Sequence, residues 1–61
     1  MNERQRNIVS RLADAGSVSV RGLSEEFQVS QMTIRRDLDA LKDKESFRRT
    51  HGGAVLVHSR N

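Results

Sequence analysis

Side chains that can contact phosphates and base edges are concentrated in the second half of this sequence. The first group comprises Ser30, Gln31, Met32, Thr33, Arg35 and Arg36. The second group comprises Arg48, Arg49 and His51, and two glycines follow it. An arginine can form a bidentate contact with guanine O6 and N7, and an amide can do the same with adenine N6 and N7. These residue types at close spacing therefore point to a nucleic acid as the ligand.

Combinations that would support catalysis or metal binding are scarce. The chain has no cysteine, which excludes disulfides and thiolate zinc sites. Its two histidines, His51 and His58, have no acidic residue near them in sequence. The pair Gly52-Gly53 lacks the following lysine and hydroxyl residue of a nucleotide-binding loop. We therefore expect no enzymatic activity, no metal site and no cofactor.

The chain carries a net charge of +3, and the whole excess lies in its second half. Residues 1–29 contain four bases and four acids, whereas residues 30–61 contain seven bases and four acids. Uneven basic charge on a small domain favours a polyanionic partner, although an ordinary solvated surface would give the same count.

With 61 residues, 34% of them hydrophobic, the chain can form one small domain with a thin core. Its longest apolar run, Ala54–Val57, is far too short to cross a bilayer, and the N-terminus has no signal-peptide stretch. We therefore expect a cytoplasmic protein without a membrane partner.

Hydrophobic periodicity divides the chain into three helices and three short strands. Helices are predicted at Glu3–Ala15, Arg21–Phe27 and Gln31 to about Lys44, and strands at Ser17–Val20, Phe47–Thr50 and Ala54–Val57. Gly16 suits the end of the first helix and Ser30 the N-cap of the third. Gly52 and Gly53 are expected to supply positive φ in a tight hairpin. The order is that of a winged helix-turn-helix, mainly α with a small β-hairpin.

The turn between the second and third helices has to bury one residue, and Val29 is the apolar residue in place for it. Phe27 and Ile34 would flank it in the core, and Ser24 is small where the two helices approach. This spacing fits a helix-turn-helix, and it fits an ordinary helical hairpin of a larger bundle equally well.

The third predicted helix has an apolar stripe of Ile34, Leu38 and Leu41. The opposite face carries Met32, Arg36, Asp39 and Asp43. Arg35 and Arg36 precede the acids along this helix, whereas the macrodipole favours acids first and bases last. A local rule broken in this way often marks a functional surface.

Entry of the N-terminal half of this helix into the major groove of DNA would explain the order of charges. Its arginines would meet phosphates and bases, while Asp37, Asp39 and Asp43 remain in solvent. The alternative is an ion pair between Arg35 and Asp39, which would contribute about 0.3–0.5 kcal/mol.

The side chains of this helix suit different parts of a duplex. We predict that Gln31 reads adenine and that Arg36 reads guanine. Met32 either contacts a thymine methyl group or is an ordinary exposed apolar residue. Phosphate contacts are expected from Thr33, from Arg35 and from the helix N-terminus that Ser30 caps.

The predicted hairpin forms a second basic cluster, of Arg48, Arg49 and His51. These side chains can follow the DNA backbone or enter the minor groove, where negative potential attracts arginine. Because alternate strand residues face opposite sides, only one of Arg48 and Arg49 should point at DNA.

Two motifs carry a resemblance to a known family. They are Val29-Ser30-x2-Thr33-Ile34-Arg35-Arg36-Asp37-Leu38 and Arg49-x-His51-Gly52-Gly53-Ala54. Through them, residues 4–54 resemble the DNA-binding domain of the DeoR family of bacterial transcriptional regulators. The resemblance implies a winged helix-turn-helix that binds double-stranded operator DNA, usually to repress genes of sugar or nucleoside catabolism.

The sequence departs from the family pattern in three places. Gln28 stands where glycine is common, so the turn is expected to be less relaxed. Glu45-Ser46 replaces a common Gly-Leu, and Glu45 would be mildly strained at positive φ. Family members also carry a C-terminal domain that senses a small-molecule effector and forms oligomers. Residues 1–57 are therefore expected to form the DNA-binding domain and residues 58–61 to begin a linker to a sensing domain absent from this chain.

Two other functions fit the same residues. One is a winged helix whose arginine face docks an acidic protein partner. The other is a nucleic-acid binder that reads shape without sequence preference, for instance on structured RNA.

Overall fold

The computed structural model describes residues 2–44 and 47–57 of the chain. The elements are α1 (Glu3–Ala15), β1 (Ser17–Ser19), α2 (Val20–Phe27), α3 (Gln31–Leu41), β2 (Phe47–Thr50) and β3 (Gly53–Leu56). This is the predicted winged helix-turn-helix, in which α2 and α3 form the helix-turn-helix and β2 and β3 form the wing.

The family departure at residues 45–46 and the predicted linker at 58–61 lie outside the described residues. None of the described helices combines the length and apolar character needed to cross a bilayer.

Helix α1 has a hydrogen-bonded cap at each end. At its start, the Asn2 side chain accepts a hydrogen bond from the backbone N–H of Gln5 at 2.8 Å, and the Gln5 side chain accepts one from Asn2 N–H at 3.4 Å. At its end, Gly16 adopts the predicted left-handed conformation with φ 83° and donates to the Leu12 carbonyl at 2.8 Å. These caps confirm both predicted boundaries of the helix.

Helix α2 begins one residue before the predicted position. The sequence predicts Val20 as the end of a strand, but Val20 is the first residue of α2 and is buried in the core. The reason is the N-cap at Ser19, whose Oγ accepts a hydrogen bond from Gly22 N–H at 2.9 Å. That bond turns the chain into a helix and shortens β1 to three residues.

The turn between α2 and α3 depends on one left-handed residue. Gln28 has φ 57° and ψ 47°, and Val29 N–H donates to the Ser24 carbonyl at 3.0 Å. Val29 packs against the core as predicted, although it is half-buried rather than fully enclosed. Ser24 is buried, as its place between the helices requires.

Helix α3 begins at the predicted cap and ends earlier than predicted. Ser30 Oγ accepts a hydrogen bond from Thr33 N–H at 3.1 Å, which confirms the N-cap. The helix ends at Leu41, and Lys44 N–H then donates to the Leu41 carbonyl at 2.8 Å in a turn. The prediction to Lys44 was wrong because the polar residues after Leu41 have no apolar face that would hold them against the core.

The sheet is antiparallel, in the order β1-β3-β2, so the third strand lies in the middle. This strand spans Gly53–Leu56 rather than the predicted Ala54–Val57, because Gly53 pairs with both Ser19 and Thr50. Neither hairpin glycine has positive φ, contrary to the prediction. Gly53 is needed for close approach instead, since a Cβ there would lie 2.8 Å from Ser19 Cα and collide with the Val18 carbonyl oxygen.

One core joins all three helices to the centre of the sheet. Its buried members are Ile8, Val20, Leu23, Ile34, Leu38, Leu41 and Ala54. Half-buried apolar residues pack around them: Val9, Val18, Phe27, Val29 and Phe47. Burial of one large aliphatic side chain contributes about 1.5–3 kcal/mol. Three of the buried residues belong to α3, so the core holds one face of that helix and leaves the other outward.

Candidate nucleic-acid interface

The residues predicted to read bases lie on the outward face of α3. Gln31, Met32, Arg35 and Arg36 are exposed, and Thr33 is half-buried. Met32 is 55% exposed, so α3 presents an apolar side chain among polar and charged ones. The structure therefore brings these residues together on one accessible helical surface.

The side chains of Ser30 and Thr33 are hydrogen-bonded to each other at the start of α3. In addition to the backbone cap, their hydroxyl oxygens lie 3.0 Å apart and share a hydrogen bond. Ser30 thus acts as the cap that the sequence predicts. The Thr33 hydroxyl is oriented by this bond rather than left free to rotate.

Arg35 and Arg36 form no salt bridge with any carboxylate of the described residues. The alternative pair of Arg35 with Asp39 does not form, and Asp39 Oδ1 accepts a hydrogen bond from Arg49 Nη1 at 2.6 Å. Two guanidinium groups therefore stand unneutralised on the exposed N-terminal half of α3.

Asp37 is not in solvent, contrary to the prediction for the acids of this helix. It is 5% exposed and accepts hydrogen bonds from two residues of α1, Arg4 and Gln5. Arg4 donates from Nε and, at 3.2 Å, from Nη2, and Gln5 donates from Nε2 at 3.2 Å. The hydrogen bond to Asp37 raises the pKa of the Arg4 guanidinium. A carboxylate can be buried when it is paired in this way, so Asp37 fastens α3 to α1.

The two arginines of the wing, Arg48 and Arg49, differ in their exposure to solvent. Residues of β2 alternate between half-buried and exposed, which leaves Arg48 exposed and Arg49 half-buried. Arg49 contacts Asp39, and its Nε also donates to the Gly53 carbonyl at 3.3 Å. His51 is exposed in the turn between the strands. Of the predicted wing cluster, Arg48 and His51 are therefore accessible, whereas Arg49 is engaged within the protein.

Sequence reasoning missed the polar residues that hold this surface in place. Arg4 and Asp37 are 33 residues apart, and Asp39 and Arg49 are 10 residues apart. Neither separation matches a helical or strand period, so periodicity gives no sign of either pair. Gln5 lies in the capping box of α1, a local pattern that relates it to Asn2 and gives no sign of its bond to Asp37.

A helix-turn-helix whose second helix exposes two arginines, followed by a basic hairpin, defines a DNA-binding domain of the winged-helix class. Residues 4–60 match the family model of the DeoR-like helix-turn-helix domain. The chain belongs to this family, as the two sequence motifs indicate.

Relatives of this chain are transcriptional regulators by name. It is 47% identical to the HTH-type transcriptional regulator GlpR of Haloferax volcanii, over 93% of this chain and 22% of that protein. It is 40% identical to the lactose phosphotransferase system repressor of Lactococcus lactis, over 98% of this chain and 24% of that protein. It is 41% identical to the L-fucose operon activator of Escherichia coli, over 95% of this chain and 24% of that protein. No solved structure matches the chain significantly.

The aligned part is a small share of each relative. The chain spans less than a quarter of the length of these regulators, at 22% and 24%. The likeness therefore concerns the DNA-binding domain.

Proposed function

We propose that this domain binds double-stranded operator DNA sequence-specifically, with the outward face of α3 in the major groove and the wing beside it. The observation that carries the proposal is the unneutralised pair Arg35 and Arg36 on the exposed half of α3. Positive charge without an internal partner favours contact with phosphates and with the acceptor atoms of guanine.

The proposed contacts follow from chemistry and exposure. Gln31, Met32 and Arg36 contact base edges, and Ser30, Thr33 and Arg35 position α3 on the phosphates. In the wing, Arg48 and His51 are accessible to the backbone or the minor groove. Arg49, which the sequence analysis also assigns to DNA, has its guanidinium engaged by Asp39.

We propose further that the whole protein regulates transcription, most simply as a repressor of sugar or nucleoside catabolic genes. The names of a lactose-system repressor and a fucose operon activator among the relatives support a carbohydrate-related operon. Repression is supported by the family resemblance and by the name of the lactose-system repressor, whereas the name of the fucose operon activator favours activation. Effector binding and oligomerisation outside this domain likewise remain predictions from that resemblance.

Selection from a randomised duplex DNA library at two salt concentrations tests the proposal. We expect one enriched sequence, with binding that weakens as salt rises by a slope of about 0.9 for each phosphate contacted. Binding of one isolated domain should be weak, and duplicated half-sites should bind better once two domains are linked.

The matched control is the double variant Arg35→Ala, Arg36→Ala, which should lose both the enrichment and part of the salt slope. Equal binding of every sequence would instead support a shape-reading nucleic-acid binder. Absence of DNA and RNA binding at low salt would contradict both nucleic-acid functions and favour the acidic protein partner.

A further inference from the structure

A single salt bridge connects α3 to the wing within residues 2–44 and 47–57. It joins Asp39 Oδ1 to Arg49 Nη1 at 2.6 Å. The same guanidinium donates from Nε to the Gly53 carbonyl at 3.3 Å. Arg49 therefore bridges the outward face of a helix and the backbone of the central strand.

The ends of this bridge lie on the wing and on α3. Arg49 lies opposite Ala54, which is fully buried in the core, and Gly53 packs directly against the backbone of Val18. Asp39 lies three residues after Arg36, so the two side chains are neighbours on the surface of α3. The bridge thus ends beside the residue predicted to read guanine.

We propose that Arg49 and Asp39 form a tether that sets the position of the wing relative to α3, and that Arg49 is a positioning residue rather than a phosphate ligand. This inference rests on the proposed function. The side chain of Arg49 is 27% exposed and is committed at two of its nitrogen atoms, whereas Arg48 on the same strand is exposed. Arg48 is therefore the wing arginine that is free to contact a phosphate.

A fixed wing matters because two elements must meet DNA at once. When their relative position is set beforehand, binding loses less conformational entropy, and only sequences that satisfy both contacts bind well. The tether is therefore expected to act on discrimination between sequences. A phosphate contact would instead act equally on all sequences.

The experiment uses the 61-residue chain and compares binding to its selected sequence with binding to randomised duplex DNA across a salt series. The test variants are Asp39→Asn, Arg49→Ala, their double variant and Arg49→Lys. Asp43→Asn is the control for removal of one exposed acid nearby, in the turn that follows α3. Arg48→Ala is the control for loss of a phosphate contact.

Each test variant should reduce the ratio of selected to random affinity by about two- to fivefold, the range expected for a partly exposed ion pair. The double variant should reduce it no further than Arg49→Ala alone, because Arg49→Ala already removes the salt bridge that Asp39→Asn weakens. Arg49→Lys should lose discrimination as well, since one ammonium group cannot reach both acceptors in the geometry of the guanidinium. Arg48→Ala should lower the salt slope by about 0.9, and Arg49→Ala should leave that slope unchanged.

The tether is wrong if Arg49→Ala lowers the salt slope as Arg48→Ala does while Asp39→Asn behaves like Asp43→Asn. A readout without DNA separates this failure from failure of the proposed function. The Nη1 protons of Arg49, which donate to Asp39, should exchange slowly with solvent in the NMR spectrum of the free domain and faster in Asp39→Asn. Nη1 protons that exchange equally fast in both proteins would overturn the tether whether or not the domain binds DNA, and thermal unfolding verifies that each variant is folded.

Discussion

Four arginines on α3 and the wing lie in two different surroundings. Arg35, Arg36 and Arg48 are exposed and meet no carboxylate of the described residues. Arg49 is held by Asp39 at 2.6 Å. A guanidinium remains charged at any pH that proteins tolerate, so what differs among the four is the anion each can bind. The three free groups can bind DNA without breaking an internal salt bridge.

Arg36→Ala should remove discrimination at one base position of the selected sequence. A bidentate contact with guanine distinguishes the correct base from the wrong ones by about 1–3 kcal/mol. The measurement is a set of titrations with single-base variants of the selected duplex, in which the variant protein should bind all four bases at that position almost equally.

Arg35→Ala is the matched control, since its side chain is equally exposed on the same helix. We expect it to weaken every sequence alike, as loss of a phosphate contact does. If Arg36→Ala keeps the full base preference, α3 does not enter the groove in the proposed orientation.

At the scale of elements, the orientation of α3 follows from two kinds of contact. The apolar stripe of Ile34, Leu38 and Leu41 packs into the core. On the side facing α1, the buried Asp37 carboxylate accepts hydrogen bonds from Arg4 and Gln5. Apolar contacts tolerate small rotations of a helix, whereas a carboxylate bound by three donors does not. The polar contact therefore fixes which residues α3 presents outward.

The turn between α2 and α3 stores strain at Gln28, which has φ 57°. The left-handed conformation costs a residue with a Cβ about 1–2 kcal/mol relative to the right-handed one. Glycine has no such steric cost and loses only somewhat more conformational entropy on folding. Gln28→Gly should therefore raise the free energy of unfolding by up to about 1 kcal/mol. Chemical denaturation followed by circular dichroism measures this change.

The control for this substitution is Ala40→Gly, at an exposed position inside α3. There the new glycine should lower the free energy of unfolding by about 1 kcal/mol, because the backbone is already helical. If both glycines destabilise the domain, Gln28 does not occupy the left-handed conformation in solution.

At the scale of the whole molecule, the close contact between β1 and β3 joins the wing to the helices. Gly53→Ala should lower the free energy of unfolding by about 1–3 kcal/mol, as overpacking does, because its Cβ would collide with the Val18 carbonyl. Such a loss is large for a domain of this size. Thermal unfolding of Gly53→Ala, compared with that of the unchanged domain, measures this loss.

Gly52→Ala is the matched control, because a Cβ at this position meets no atom within 4 Å and its φ is not positive. We expect it to leave stability almost unchanged. Equal effects of the two substitutions would mean that β1 and β3 do not approach as closely as described.

Much of the architecture follows from local chemistry that a sequence displays directly. The 3.6-residue apolar period located α1 and α3, and the short polar caps Asn2, Ser19 and Ser30 provide the bonds that begin the helices. Ser19 lies in the predicted first strand and is also the N-cap of α2, and alternation along the chain predicts only the first of these roles. The hairpin was located by its glycines, although Gly53 is required for packing rather than for φ.

The sequence by itself determined the order of elements, the apolar face of α3 and the placement of Arg35 and Arg36 ahead of the acids along this helix, because these depend on residues near one another in the chain. Tertiary structure alone decided which charges remain free. Asp37 is bound by Arg4, and Asp39 by Arg49, across separations of 33 and 10 residues. Such pairs depend on where the folded backbone brings two side chains, and no period along the chain encodes that distance. Arg35 and Arg36 are exposed and have no carboxylate partner among residues 2–44 and 47–57.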